Sequence, residues 1–403
     1  MPQLAVIGDD LTGAADTGAC FAGAGLATVI PFSDSPVLAA DVVVLSTETR
    51  DLDAGDAAAI VADVTARCVA NQRAAPRWLY KKIDSALRGH PRDELRATMT
   101  AAGATRALVA PAFPAEGRTT VGGRQLIDGA PLEASRFGGA GATSDLVALL
   151  RSDDAMPIVR LDLAAVRGPA AALRQMLDDG APGILVADAE TEADLLALAR
   201  AASDSRLRVL CGTAGFARHL AVTLPFAGSL PPVTIPTRRT GPPLVVAGSQ
   251  HEATRRQVEA ARRAGVPIVC PALNMYEDEI SAHDAAAEVA TSLAAGRATI
   301  VTTAGLPPSP LGGRVVAARL AQMVATPAVR RHIGGLVLTG GDVAAAVCHA
   351  LDATAIRLGG EIVAGQPWGL LEGGMLAGAA VATKAGSFGD ERALLACIAF
   401  LTT

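Results

Sequence analysis

The feature that most constrains this chain is a unit it repeats along its length. A short apolar run is followed by glycine or polar residues, and then by an alanine-rich amphipathic stretch. A strand that is apolar end to end must be buried on both faces, and parallel neighbours joined by helical crossovers supply that burial. The pattern therefore predicts an α/β fold with mostly parallel sheets flanked by helices. In the first half it places strands at Leu4–Ile7, Thr28–Pro31, Val42–Ser46, Trp78–Ile83, Arg106–Pro111 and Gly183–Ala187, with helices such as Asp56–Ala70, Pro91–Ala102 and Glu192–Ala201 between them.

The unit stops once and restarts. Between Pro225 and Pro243 lie Pro231, Pro232, Pro236 and Pro242, a density that excludes helix and central strand and reads as an extended linker. A chain of 403 residues is also too long for one ordinary core. Two domains are expected, 1–224 and 244–403, joined by a linker at 225–243 that lets them close over ligands. The second half predicts strands at Leu244–Ala247, Ile268–Cys270, Thr299–Thr303, Gly335–Thr339 and Ala379–Thr383. The Gly-rich run Arg136–Thr143 is expected to be a mobile loop.

Composition removes several classes of function. A net charge of −5 without a basic run, and aromatics at only 3%, argue against a nucleic-acid surface or base stacking. The six cysteines form no CxxC pair and the histidines no HExxH, so neither a zinc site nor a disulfide framework is expected, and no residue is assigned as a metal ligand. Nothing resembles a signal peptide or a membrane span, and the expectation is a cytoplasmic protein.

In open α/β sheets ligands bind beyond the carboxyl ends of the strands. The first strand ends in Gly8-Asp9-Asp10-Leu11-Thr12-Gly13, where Asp9 or Asp10 could hold a hydroxyl, although Asp10 or Thr12 as a helix cap is the simpler account. Arg50 follows Val42–Ser46 and has the planar fork that grips a carboxylate, but taken alone it reads as an exposed arginine beside Asp51 and Asp53. The cluster Lys81-Lys82-Ile83-Asp84-Ser85-Ala86-Leu87-Arg88-Gly89 is dense for a strand end. Lys82 or Arg88 could neutralise an anion and Asp84 could hold hydroxyls, with a solvated turn the equal alternative. A Pro/Gly-rich loop from Pro111 to Gly123 offers Arg118, Thr119 and Thr120.

Three strand ends of the second half carry small residues: Gly248-Ser249, Gly340-Gly341-Asp342-Val343, and Lys384-Ala385-Gly386-Ser387. Glycines let a backbone approach phosphate oxygens, and the helix that follows offers free N–H groups. Each is weak alone, since Asp342 could simply cap a helix and Lys384 could lie on the surface. No GxxxxGK[ST] and no GxGxxG after a first strand is present, which speaks against a P-loop NTPase and a dinucleotide site.

Taken in order, Ile7–Ala14 with Asp16-Thr17-Gly18, Thr47–Arg50, Lys82–Ser85 with Leu87-Arg88-Gly89, Pro111–Pro114 with Gly117–Val121, Gly248-Ser249, Thr339–Asp342 and Thr383-Lys384 with Phe388-Gly389 resemble the four-carbon acid sugar kinases over nearly the whole chain. The resemblance implies an N-terminal domain for the acid sugar, a C-terminal domain for ATP, and phosphorylation of the terminal hydroxyl of a threonate-, erythronate-, 3-oxo-tetronate- or 4-hydroxythreonate-like acid. It implies substrate contacts at Asp9, Arg50, Lys82, Asp84 and Ser85, and Ile83, Arg88 and Arg118 are candidates beside them. Nucleotide contacts are implied at Ser249, Gly340, Gly341, Asp342 and Gly386, with Val343 and Lys384 beside them. Ala86, Gln250-His251-Glu252 and Ala385-Gly386-Ser387 depart from the family's usual residues, which bears on the acid taken more than on the reaction. Mg²⁺ is expected to bridge the ATP phosphates, and Asp9 or Asp10, with Asp342 as rival, to accept the hydroxyl proton. The partners expected are the small acid and ATP, without nucleic acid or membrane and with homo-oligomerisation left open. A non-catalytic sensor of acid sugar and nucleotide, or an NAD-dependent dehydrogenase, are the competing functions.

Overall fold

The computed structural model describes residues 2–32, 39–70, 75–135, 137–139, 142–152, 156–226, 239–271, 279–307 and 312–402, with side chains of 279–283 left aside. Most of the expected linker therefore lies outside the described residues, as do Arg136, Ala140 and Gly141 of the Gly-rich run. The contacts divide the chain into two compact units, residues 1–26 with 39–230, and residues 27–38 with 231–403. The sequence pattern counts residues 27–38 with the first domain; they group with the second unit instead.

The strands of the first half are β1 (Leu4–Gly8), β2 (Thr28–Pro31), β3 (Val42–Ser46), β4 (Trp78–Lys82), β5 (Arg106–Ala110), β6 (Arg118–Val121), β7 (Arg124–Ile127), β8 (Ala130–Pro131), β9 (Ile158–Leu161), β10 (Gly183–Ala187) and β11 (Val209–Gly212). All but β2 and the small antiparallel β6–β7–β8 sheet form the parallel sheet of the first unit, in the order β3-β1-β4-β11-β5-β10-β9. β1, β4 and β10 are buried at every residue, as strands covered on both faces must be. The short runs at β9 and β11 and the 118–131 hairpin are strands that the apolar pattern missed.

The second unit has β12 (Pro243–Ala247), β13 (Ile268–Val269), β14 (Thr299–Thr302), β15 (Gly335–Thr339), β16 (Ala355–Glu361), β17 (Pro367–Glu372) and β18 (Ala380–Lys384). Its sheet runs β13-β14-β12-β15-β18 in parallel, then β17, β16 and β2, each antiparallel to its neighbour. β2 pairs Thr28 with Leu358 and Pro31 with Ala355. Four apolar residues show that a strand forms there, but carry no information about its partner. β16 and β17 were missed because Arg357, Gly359, Gly360 and Gly369 dilute their apolar pattern.

Each sheet has a switch point, where the chain leaves one side of its first strand and continues on the other. In the first unit β3 flanks β1 on one side and β4 on the other. In the second, β14 and β15 flank β12 in the same way. A crevice opens at such points, beyond the carboxyl ends of the strands. No helix among the described residues is long and apolar enough to cross a membrane.

Candidate functional site

The first switch point gathers most of the charged residues singled out in the first half. Asp9 and Asp10 follow β1, Arg50 follows β3, and Lys82 ends β4. Arg50 donates from Nε and Nη2 to the two oxygens of Asp9, both at 2.8 Å, and from Nη1 to Asp10. Asp10 also caps the helix Leu11–Gly23, accepting from the Gly13 N–H at 2.8 Å, so the capping and site roles coincide in one side chain. Asp84 accepts from Nε and Nη2 of Arg88 at 3.0 and 2.7 Å, and its Oδ1 lies 3.9 Å from Arg50 Nη2.

The electrostatics are set by these pairings. Burial opposes charge on Asp9, but the Arg50 guanidinium, with Lys81 and Lys82, holds its carboxyl below the usual range. Burial likewise opposes charge on Asp84, and the hydrogen bonds and charge of Arg88, with Arg50 and Lys82, hold it well below that range. Arg50 loses by burial and gains more from Asp10 and Asp9, so its pKa rises. Three of its five N–H donors are taken by Asp9 and Asp10, which leaves two for a ligand. Lys82 is 5% exposed and donates to the Ile83 carbonyl at 2.8 Å; no carboxylate among the described residues forms an ion pair with it. A buried amine without a direct ion pair beside an oriented guanidinium is an arrangement that suits an anion.

The remaining expected residues divide. Ile83 turns its side chain into the core and offers only backbone, and Ser85 is buried beside it with its carbonyl accepting from Gln125 at 3.1 Å. Arg118 lies on β6, where its guanidinium contacts Glu116 and sits 5.5 Å over the Phe137 ring. The sequence analysis placed Lys81 in its cluster without a role of its own and missed Glu94, with which it pairs at 2.7 Å beneath the cluster.

At the second switch point a cavity of about 320 Å³ is lined by Gly248, Ser249, Gln250, Thr303, Gly313, Val316, Gly340, Gly341, Asp342 and Val343. Five of the expected residues, Ser249, Gly340, Gly341, Asp342 and Val343, therefore share one cavity. Gly340 has φ 101°, a conformation open mainly to glycine, and this turns the chain from β15 into the helix Gly341–Ala350. A second helix, Gly313–Ala325, also begins at the cavity. Two helix N-termini meet the cavity, the kind of position that suits phosphate. Gln250, Thr303, Gly313 and Val316 were missed, although Gly312-Gly313 before a helix repeats the signal used elsewhere.

Gly386 packs against the same site. A Cβ at Gly386 would stand 2.0 Å from Ser249 Oγ, so only glycine fits there. The carbonyls of its loop are held from behind: Thr254 Oγ1 donates to Gly386 O at 2.9 Å, and Gln257 Nε2 donates to the carbonyls of Phe388, Gly389 and Asp390. Lys384 belongs to that support. β18 extends one residue further than expected, so Lys384 is fully buried and its amine donates to Ala385 O at 2.8 Å and Phe388 O at 3.0 Å. Its amine points into the protein, not toward the cavity.

Burial pushes the Lys384 ammonium down to about 8, against an upward pull from Cys397. In the unfolded chain the group titrates near 10.5, so between those values the unfolded state binds more protons and stability rises with pH. The stability difference between wild type and Lys384→Met, read as denaturation midpoints, is expected to shift in favour of wild type as pH rises from about 8 to about 10. A difference that is flat across that window would show that Lys384 titrates normally.

Residues 4–220 match the sugar-binding N-terminal domain family and residues 244–394 the nucleotide-binding C-terminal domain family. The chain thus carries one domain of each of these two families. It is 35% identical to the D-threonate kinase of Bordetella bronchiseptica, over 98% of this chain and 96% of that one, and 31% identical to the 3-oxo-tetronate kinase of Methylobacterium radiotolerans, over 96% of each. The crystal structure of a Salmonella typhimurium LT2 protein described as a tRNA synthase superposes with a TM-score of 0.81 at 22% identity, covering 98% of this chain and 99% of that one, a likeness of fold alone. This chain belongs to the four-carbon acid sugar kinase family, and it is a kinase.

Proposed function

We propose that the chain transfers the γ-phosphoryl group of Mg-ATP to the terminal hydroxyl of a four-carbon acid sugar, with D-threonate as the first candidate. The observation that carries this reading is the convergence of Asp9, Arg50 and Lys82 at one switch point. There a buried amine without a direct ion pair and two guanidinium N–H groups not taken by Asp9 or Asp10 suit an anion. The acid's carboxylate is assigned to Lys82 and Arg50, and its hydroxyls to Asp9, Asp84 and Ser85. Identity to a D-threonate kinase at 35% supports the choice of acid.

ATP is assigned to the second cavity, whose size lies within the range of small-ligand sites, with its phosphates at the N-termini of the two helices. Asp342, Ser249 and Thr303 supply oxygen donors there, the type Mg²⁺ takes when it is held jointly by phosphates and one or two carboxylates. When bound, Mg²⁺ would neutralise phosphate charge. Asp9 is assigned to orient the attacking hydroxyl. Its low pKa suits an orienting acceptor, because a loose phosphoryl-transfer transition state needs little prior removal of the proton.

A coupled ADP-release assay with Mg-ATP tests this over D- and L-threonate, D- and L-erythronate, 3-oxo-tetronates and 4-hydroxythreonate. Turnover on D-threonate at about 1–100 s⁻¹, with phosphate on its terminal oxygen, is expected. Turnover on another of these acids would replace D-threonate and keep the reaction. Bound nucleotide without turnover on any of them would overturn the reading and favour a sensor.

A further inference from the structure

The buried Lys81–Glu94 pair anchors a hydrogen-bond network whose members lie next in the chain to Asp9, Arg50 and Lys82. Its side chains are 0% and 2% exposed and meet at 2.7 Å. Lys81 Nζ also donates to the carbonyls of Ile7, at 3.2 Å, and Lys82, at 2.9 Å. All three of its N–H donors are therefore used, one on the helix Pro91–Ala101, one at the end of β1 and one at the end of β4. The other oxygen of Glu94 accepts from Thr49 at 2.6 Å, and the Thr49 hydroxyl lies 2.8 Å from that of Thr47, which donates to Gly8 O at 2.9 Å. Ile7 and Gly8 precede Asp9, Thr49 precedes Arg50, and Lys81 precedes Lys82. On β4 the successive side chains of Lys81 and Lys82 face opposite ways, so Lys81 ties the strand ends together while Lys82 faces the site.

Burying an ion pair generally adds no stability over apolar side chains of the same volume. What this pair does supply is geometry, because its fixed hydrogen bonds reach β1, β4, the segment after β3 and the flanking helix. We propose that Lys81 and Glu94 are positioning residues whose ion pair sets the three strand ends at the height where Asp9, Arg50 and Lys82 converge on the acid. The proposal rests on the reading of that cluster as the acid site.

The test replaces both charges at once in the full-length enzyme, as Lys81→Met with Glu94→Leu. Either single change would leave a buried charge alone and could unfold the chain, whereas the double change removes both. Should that pair fail to fold, Lys81→Met with Glu94→Gln keeps the acceptor for Thr49 and carries the same test. Melting temperature is read first, then KM for acid and for ATP separately, with Lys82→Met as a parallel variant.

The expected result is a melting temperature close to wild type, an acid KM raised about tenfold or more, and an ATP KM within about twofold. A purely structural pair would move the melting temperature and leave the acid KM alone. A folded double variant with wild-type acid KM and kcat, alongside a Lys82→Met variant that does lose acid affinity, overturns the positioning role and keeps the site. If Lys82→Met also retains full acid affinity, the reading of the site fails as well.

Discussion

Asp9→Asn is expected to lower kcat/KM for the acid by about 100- to 1,000-fold, the largest effect predicted for a single substitution in the N-terminal unit. Two losses combine. Both oxygens of Asp9 accept from Arg50, at 2.8 Å each, and the amide offers one acceptor and one donor to the same two N–H groups. Arg50 must therefore turn, and its two free donors turn with it. The charge that orients the attacking hydroxyl is lost as well. Folding should persist, because Asp10 and Asp84 still face the guanidinium.

Steady-state kinetics, together with a direct measurement of ADP affinity, checks this. Nucleotide affinity should stay within about twofold, since the residues lining the cavity assigned to ATP all belong to the other unit. A folded Asp9→Asn enzyme with near-normal kcat/KM would remove Asp9 from the mechanism. A collapse of kcat in Asp342→Asn at unchanged acid KM would move the orienting role to Asp342.

Gly386→Ala is expected to raise the KM for ATP by about 50-fold or more while leaving acid binding alone. The added methyl would stand 2.0 Å from Ser249 Oγ and 2.8 Å from Ser249 Cβ. Rotating the serine relieves the first contact but not the second, so backbone must move. The loop has no slack behind it, because Thr254 and Gln257 already hold its carbonyls at 2.9–3.0 Å. The Gly248-Ser249 turn at the cavity has to shift instead. Overpacking of this kind costs about 1–3 kcal/mol in stability, so the variant should fold. Calorimetric titration of ADP into wild type and variant reads the effect directly. Equal affinities would show that the loop and the Ser249 turn are not coupled to nucleotide binding.

How much of this was legible in the chain varies from residue to residue. The strand-end motifs at Asp9-Asp10, Arg50, Lys82–Ser85, Gly248-Ser249 and Gly340–Val343 stood out, because strand ends are local features marked by where an apolar run stops. Lys384 stood beside a glycine loop in the sequence and read as a nucleotide contact. One further residue of strand turned it inward, and no local pattern distinguishes a lysine that faces a ligand from one that holds the ligand's loop from behind. Gln257 and Glu94 gave no signal, since each sits inside an ordinary helix and becomes informative only through distant partners, Phe388 to Asp390 for one and Lys81 and Thr49 for the other.

By itself the sequence determined that this chain alternates strands and helices, that it does so in two series, and which strand ends gather polar and glycine residues. Those properties follow from the order of apolar, glycine and polar residues over short stretches. Tertiary structure alone decided that β2 joins the sheet of the second unit, that Arg50 is gripped by Asp9 and Asp10, and that Lys82 forms no direct ion pair among the described residues. Each of those outcomes depends on which distant segments meet. Strand partnership and the pairing of charges are settled by burial and register across the whole sheet, and a short stretch of chain holds no record of them.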